Sequence, residues 1–272
     1  MWTRVVRFDL MLETRDLTIR FGGHAAVDGV TCAFQPGTLT SIVGPNGAGK
    51  TTYFNLISGQ LPASAGSVHL NGVDITGWPA PRRSRAGLGR AFQLTNLFPN
   101  LSALENVRLA VQVGSGKGFD LLSRTLGHRE LLERAREHLA AVSLADRADA
   151  VAATLPHGDQ RKLEVAILLA LEPDVFMFDE PTAGMSIDEV PVVLNLIAQL
   201  KQDKSKIILL VEHKMDVVRS LADRIIVLHN GQLVAELFRV SELRLEDELE
   251  RVVVVCIFEF SRLEFLKHLF HV

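Results

Sequence analysis

Leu39-Thr40-Ser41-Ile42-Val43-Gly44-Pro45-Asn46-Gly47-Ala48-Gly49-Lys50-Thr51-Thr52 decides how the rest of this chain reads. Its first five residues form an apolar, β-rich run bounded upstream by Pro36-Gly37, the pattern of a buried strand. Residues 44–51 match G-x-x-x-x-G-K-[ST], and Thr51 to Ser58 has helical character, with Gly59 placed to cap its C-terminus. A strand running through glycines into a helix is the arrangement that grips phosphate. Glycines let the backbone close on an anion without a Cβ in the way. The N–H groups and the positive end of the helix then face the negative charge. Lys50 is suited to the β- and γ-phosphates and the Thr51 hydroxyl to Mg²⁺, with Asn46, Gly47, Ala48, Gly49 and Thr52 completing the cradle. A chance match in a chain of this length is an event on the order of one per cent.

Upstream, Leu17 to Phe21 and Val30 to Phe34 read as short strands around the Gly22-Gly23 turn. Downstream, Ser67 to Leu70 is a strand closed by Asn71-Gly72. From about Leu94 to Leu169 helical periods dominate, for example Glu130 to Val142, and 114–118 is a glycine-rich loop. A strand within Asp174 to Phe178 follows, then a helix from about Asp188 to Leu200 and a strand Ile207 to Val211. A helix Met215 to Leu221 and a strand Arg224 to His229 complete the series. That alternation predicts an α/β fold with a mainly parallel sheet, an N-terminal antiparallel β subdomain and an inserted helical subdomain. The strand Val175 to Phe178 delivers Asp179-Glu180 to the carboxyl edge of the sheet, where ligands bind in such folds. Asp179 suits Mg²⁺ and Glu180 suits polarising a water.

Composition narrows the function classes. The 272 residues are 47% hydrophobic and 22% charged, ordinary globular usage. A formal net charge of −3 lacks the basic excess that nonspecific nucleic-acid binding needs, so no nucleic-acid partner is expected. Two cysteines, Cys32 and Cys256, make no disulfide framework and read as buried apolar residues. Neither the apolar run 252–258 nor Met1 to Leu10 has the length or pattern of a membrane span or signal peptide, which reads as a cytoplasmic chain.

Taken together, these residues resemble the ATP-binding subunit of ABC transporters, a P-loop NTPase with a RecA-like core. Gly44 to Thr51 is similar to the Walker A motif and Val175 to Pro181 to Walker B. Gln93, in Arg90-Ala91-Phe92-Gln93, is placed like the Q-loop glutamine that touches Mg²⁺, and His213 like the switch histidine at the γ-phosphate. Ala183 to Ser186 occupies the D-loop position, and Phe21 resembles the aromatic that stacks on adenine. The wording around 20–23, 90–93, 97–102, 183–185 and 211–213 is similar to the branched-chain amino acid and urea/short-amide importers' ATPases.

The resemblance implies a 12–238 ATPase domain, with the helical subdomain at about 94–169, between an N-terminal extension, 1–11, and a divergent tail, 239–272. It implies ATP and Mg²⁺ as ligands, Lys50, Gln93, Glu180 and His213 as catalytic, and Thr51, Gln93 and Asp179 around the metal. Two such subunits would pair head to tail on transmembrane permease subunits at the inner face of the plasma membrane, supplied by an extracytoplasmic solute-binding protein. Leu97 and Phe98 are candidates to receive the permease, or else are buried in the helical subdomain.

One motif departs. Where the family reads L-S-G-G-Q, facing the partner's nucleotide, this chain has Leu155-Pro156-His157-Gly158-Asp159. Pro156 removes the hydroxyl and a backbone donor, though it is tolerated at a helix start. Asp159 adds negative charge near a triphosphate unless it points away. The alternative to an active transport ATPase is therefore a weakened regulatory or hetero-paired subunit.

Overall fold

The computed structural model describes residues 10–91, 97–115 and 126–238, with the side chains of the last stretch from 129 onward. The chain divides into two compact units, one built from the residues up to Ala86 and from Asp203 onward, the other from Gly87–Gln202.

The first unit opens with β1 (Leu12–Phe21) and β2 (His24–Phe34), which turn at Gly22-Gly23 and pair antiparallel from Leu12↔Phe34 to Phe21↔His24. On the other side of β1 lies β4 (Ala65–Leu70), and β5 (Val73–Asp74) follows through Asn71-Gly72. Both turn residues have positive φ, 54° and 77°, the left-handed backbone that a two-residue hairpin of the primed type requires. The sheet order is β2-β1-β4-β5.

Between these strands come β3 (Leu39–Val43), buried at every position, and α1 (Lys50–Ser58), which ends on Gly59 in the left-handed region. A short α2 (Ala80–Arg85) sends Arg83 back under α1. Its guanidinium is buried and donates to the carbonyls of Leu56 and Ile57, at 2.7 Å each, and to those of Thr76 and Trp78. A cation thus sits on the carbonyls of the last turn of the helix, where the dipole favours positive charge. Desolvation lowers this arginine's pKa to about 10, still well above neutral pH.

Later in the chain come β6 (Leu88–Ala91), α3 (Ala103–Gly114), α4 (Leu126–Ala141), α5 (His157–Ala170), β7 (Val175–Asp179) and α6 (Val190–Leu200), the second unit. Its strands β6 and β7 pair in parallel. Ser102 caps α3 by accepting from the Glu105 N–H, the Ser-x-x-Glu pattern of a capping box. Asn106, buried on α3, binds both the N–H and the carbonyl of Phe98 and fixes that loop.

The first unit is completed by β8 (Ile207–Val211), α7 (Met215–Leu221), β9 (Arg224–His229) and β10 (Gln232–Phe238). Here β3 lies between β8 and β9, parallel to both, and β10 is an antiparallel edge on β9. The hydrophobic runs read in sequence are β3, β8 and β9, buried at nearly every position as the strands of a parallel sheet are. Cys32 is buried as expected, with its thiol pushed up by desolvation, and Cys256 lies outside the described residues.

Candidate functional site

Register alone brings two of the candidate elements to one edge of the first unit. Ile42 pairs with Val211 and Val43 with Val227, so the chains leaving β3 and β8 emerge side by side at the carboxyl ends of their strands. The first becomes the loop 44–49 and the second Glu212-His213.

Glycine is required in that loop at identifiable points. Gly44 has φ +150° and a Cβ there would collide with the Leu228 carbonyl; Gly49 has φ +96° and its Cβ would strike the Ala26 carbonyl. Gly47, with φ +82°, faces open space. The loop is therefore anchored below by close backbone packing and open above. Lys50 is buried and donates to the carbonyls of Gly44, at 2.7 Å, and Pro45, at 2.9 Å, so its ammonium is held across the loop. Helix α1 starts on Gly49 with no side-chain cap. Its first-turn N–H groups have no intrahelical acceptor and so suit an anion. Thr51 and Thr52, half-buried, sit in that first turn.

Phe21 ends β1 with 53% of its surface exposed, outside the core, on the hairpin whose return strand brings Ala26 against Gly49. His213 is exposed as well. Buried Glu212 folds its carboxylate onto the N–H groups of His213 and Lys214, which sets the turn that presents the histidine. Gln93 lies outside the described residues.

In the second unit β7 carries Asp179 at its end and Glu180 just beyond. Glu180 has φ +50°, a left-handed backbone uncommon for a side chain bearing a Cβ, of the kind that clusters at functional sites. Asp179 is buried and bound through Oδ2 to Nη2 of Arg90 at 2.8 Å.

Helix α5 begins on Pro156 in extended conformation without a side-chain cap, so residues 155–159 are a helix start. Asp159 does not stand alone: Lys162 binds it at 2.9 Å and binds Glu189 at 2.8 Å. Glu189 also accepts from the Ser186 N–H and hydroxyl. Its pKa falls to about 2, first through the Lys162 hydrogen bond and then through Ser186. The Glu189 carboxylate lies so close over Gly158 that a Cβ there would collide with it, while Gly184 packs on the His157 ring. Sequence reasoning missed Lys162, Glu189 and the Arg90 pairing. The charged types were visible, but nothing in their spacing named their partners.

Residues 27–183 match the family model for the ABC transporter. The chain belongs to the ABC transporter family. It is 37% identical over 231 residues to the high-affinity branched-chain amino acid transport ATP-binding protein BraF of Pseudomonas aeruginosa, covering 83% of this chain and 91% of that one. Identity to the corresponding protein LivG of Escherichia coli is 36%, covering 81% and 89%. Among solved structures, the ATP-binding cassette MJ0796, a dimer in a post-hydrolysis state with ADP and Pi, superposes with a TM-score of 0.73. It is 26% identical and covers 84% of this chain and 98% of its own. In ABC terms, the sequence likens 44–51 to Walker A, 175–181 to Walker B and 155–159 to the signature. Among the described residues, no helix is long and apolar enough to cross a membrane.

Proposed function

We propose that this chain is the ATP-binding and hydrolysing subunit of an ABC importer for branched-chain amino acids or related small polar solutes. The observation that carries the reading is the Walker A loop: tight glycine backbone beneath, Lys50 drawn across it, and the open first turn of α1 beyond. Similarity to BraF and LivG, both named for branched-chain amino acid transport, supports the solute class.

In this reading the N–H groups of 46–52 bind the phosphates, Lys50 turns from its loop carbonyls to the β- and γ-oxygens, and exposed Phe21 stacks on the base. Thr51 and Asp179 supply the hard oxygen donors that Mg²⁺ takes beside phosphate, with Gln93 the third candidate from sequence. When bound, that ion draws off charge developing on the phosphate oxygens. Glu180 orients or deprotonates the attacking water, and His213, held by Glu212, contacts the γ-phosphate.

A second ATPase subunit would contribute its signature across the nucleotide. Because ligand then binds the closed pair preferentially, ATP binding itself drives closure. Membrane permease subunits would dock on the second unit. Phe98 there is 57% exposed, and half-buried Leu97 lines a small apolar cavity with Ile167 and Leu171, a surface able to take a partner's helix. The chain would then work at the inner face of the membrane, its solute delivered by an extracytoplasmic binding protein.

The decisive experiment measures Mg²⁺-dependent ATP hydrolysis by the purified chain and by Glu180→Gln. Turnover in the first, lost at least about 100-fold in the second with ATP binding retained, is the expected result. A chain that binds no ATP sinks the proposal.

A further inference from the structure

The parallel pairing of β6 with β7 sets Arg90 beside Met177. Along β7 the side chains alternate: Phe176 and Phe178 stack on one face, ring centroids 6.2 Å apart, so Met177 and Asp179 share the other. Paired residues of neighbouring strands point to the same side of a sheet. Arg90 is therefore the diagonal same-face neighbour of Asp179, at a separation only a long side chain spans. It does so with a charge-assisted hydrogen bond, Nη2 to Oδ2, in a site where the arginine side chain is 4% exposed and the carboxylate fully buried.

Binding Oδ2 fixes the rotation of the carboxylate, and with it the direction in which Oδ1 points. A residue at Gly89 or Ala91, one step along the strand, would face the opposite side and reach neither oxygen.

We propose that Arg90 is a positioning residue for the Walker B aspartate: by binding one oxygen it holds the rotation of the Asp179 carboxylate and so sets how that group meets the metal that accompanies the nucleotide. The inference rests on the nucleotide reading above. Groups that hold a metal ligand in this way typically change metal affinity about 10–100-fold when replaced.

The test uses the full chain with ADP and Mn²⁺ as the probe metal, following free Mn²⁺ by electron paramagnetic resonance. Arg90→Lys keeps a positive charge but replaces the planar fork by a point donor. It should raise the Mn²⁺ concentration for half-saturation about tenfold, with ADP affinity in EDTA unchanged within about twofold. In an Asp179→Asn background the same replacement should add less than about twofold, since the carboxylate that Arg90 binds is no longer there. Arg90→Gln, shorter but still a planar donor, carries the same readout should Arg90→Lys not fold. Wild-type half-saturation in a variant whose melting temperature has fallen would reduce Arg90 to a structural role and overturn the inference. So would an undiminished tenfold loss in the Asp179→Asn background. A wild-type chain that binds no ADP fails differently, at the nucleotide reading itself.

Discussion

The Walker A-like loop and the signature-like segment are both helix starts, each proposed to face phosphate, yet they are made by opposite means. Walker A is backbone work: Gly49 and Gly44, at φ +96° and +150°, pack against the carbonyls of Ala26 and Leu228, and the Lys50 side chain bonds within its own loop. The signature depends on side chains. Pro156 leaves α5 without a side-chain cap, and the charge of Asp159 is balanced by Lys162, which also holds Glu189 from 27 positions further along. The contrast teaches that a departure from a motif is judged by what surrounds it. Asp159 reads in sequence as a charge near a triphosphate unless it points away, whereas in the fold it joins an ion cluster with Lys162 of its own helix and Glu189 at the start of α6.

The largest effect should come from one of two alanines in Walker A, the one at Gly44. Gly44→Ala forces a Cβ into the Leu228 carbonyl, and backbone strain plus overpacking amount to roughly 3 kcal/mol. For a chain of this size that lowers the melting temperature by about 6–12 °C, and nucleotide binding should be lost with it. Gly47→Ala meets open space and should cost only its left-handed backbone, about 1 kcal/mol and about 2–4 °C. Equal losses at the two positions, measured by calorimetry, would break the claim that the loop is anchored below and open above.

Next is Lys162→Met, which strips the countercharge from Asp159 and Glu189. Both carboxylates are partly solvated, so the expected cost is about 1–2 kcal/mol at pH 7. Its pH dependence sharpens the comparison. Glu189 titrates near 2 in the fold against an ordinary value of 4.5, so its contribution is fully present above about pH 4.5 and is lost as pH falls towards 2. The gap in melting temperature between wild type and Lys162→Met should therefore narrow as pH drops from 5 to 3. A gap constant with pH would remove Glu189 from the cluster.

The smallest effect is Pro156→Ser. Serine restores an N-cap acceptor to α5 and a hydroxyl donor, together about 1 kcal/mol, or about fivefold in turnover at saturating ATP. Unchanged turnover would mean that Pro156 does not limit closure.

Much of the fold was legible in the sequence. Strands β3, β8 and β9 and helix α7 begin and end where their patterns do, and Gly59 closes α1. Local chemistry governs such boundaries. Helix α6 starts at Val190 rather than near Asp188, because the Glu189 carboxylate is spent on the Ser186 N–H and holds that stretch as a turn. Helix α4 begins earlier than its strongest pattern, at Leu126. Phe21, which alternation alone would have buried, is exposed because it stands at the hairpin end of β1, beyond the packed part of the sheet.

By itself, then, the sequence determined the glycine-rich loop before α1, the acidic pair at the end of β7 and the alternation of strands and helices. These rest on backbone geometry and hydrophobic periods confined to a few consecutive residues. Only the tertiary structure decided which charges meet: Arg90 with Asp179, 89 positions apart, Lys162 with both Asp159 and Glu189, and Arg83 with the carbonyl end of α1. A buried charge must find its partner wherever the fold places one, and that choice is made by strand register and helix packing between segments far apart in the chain.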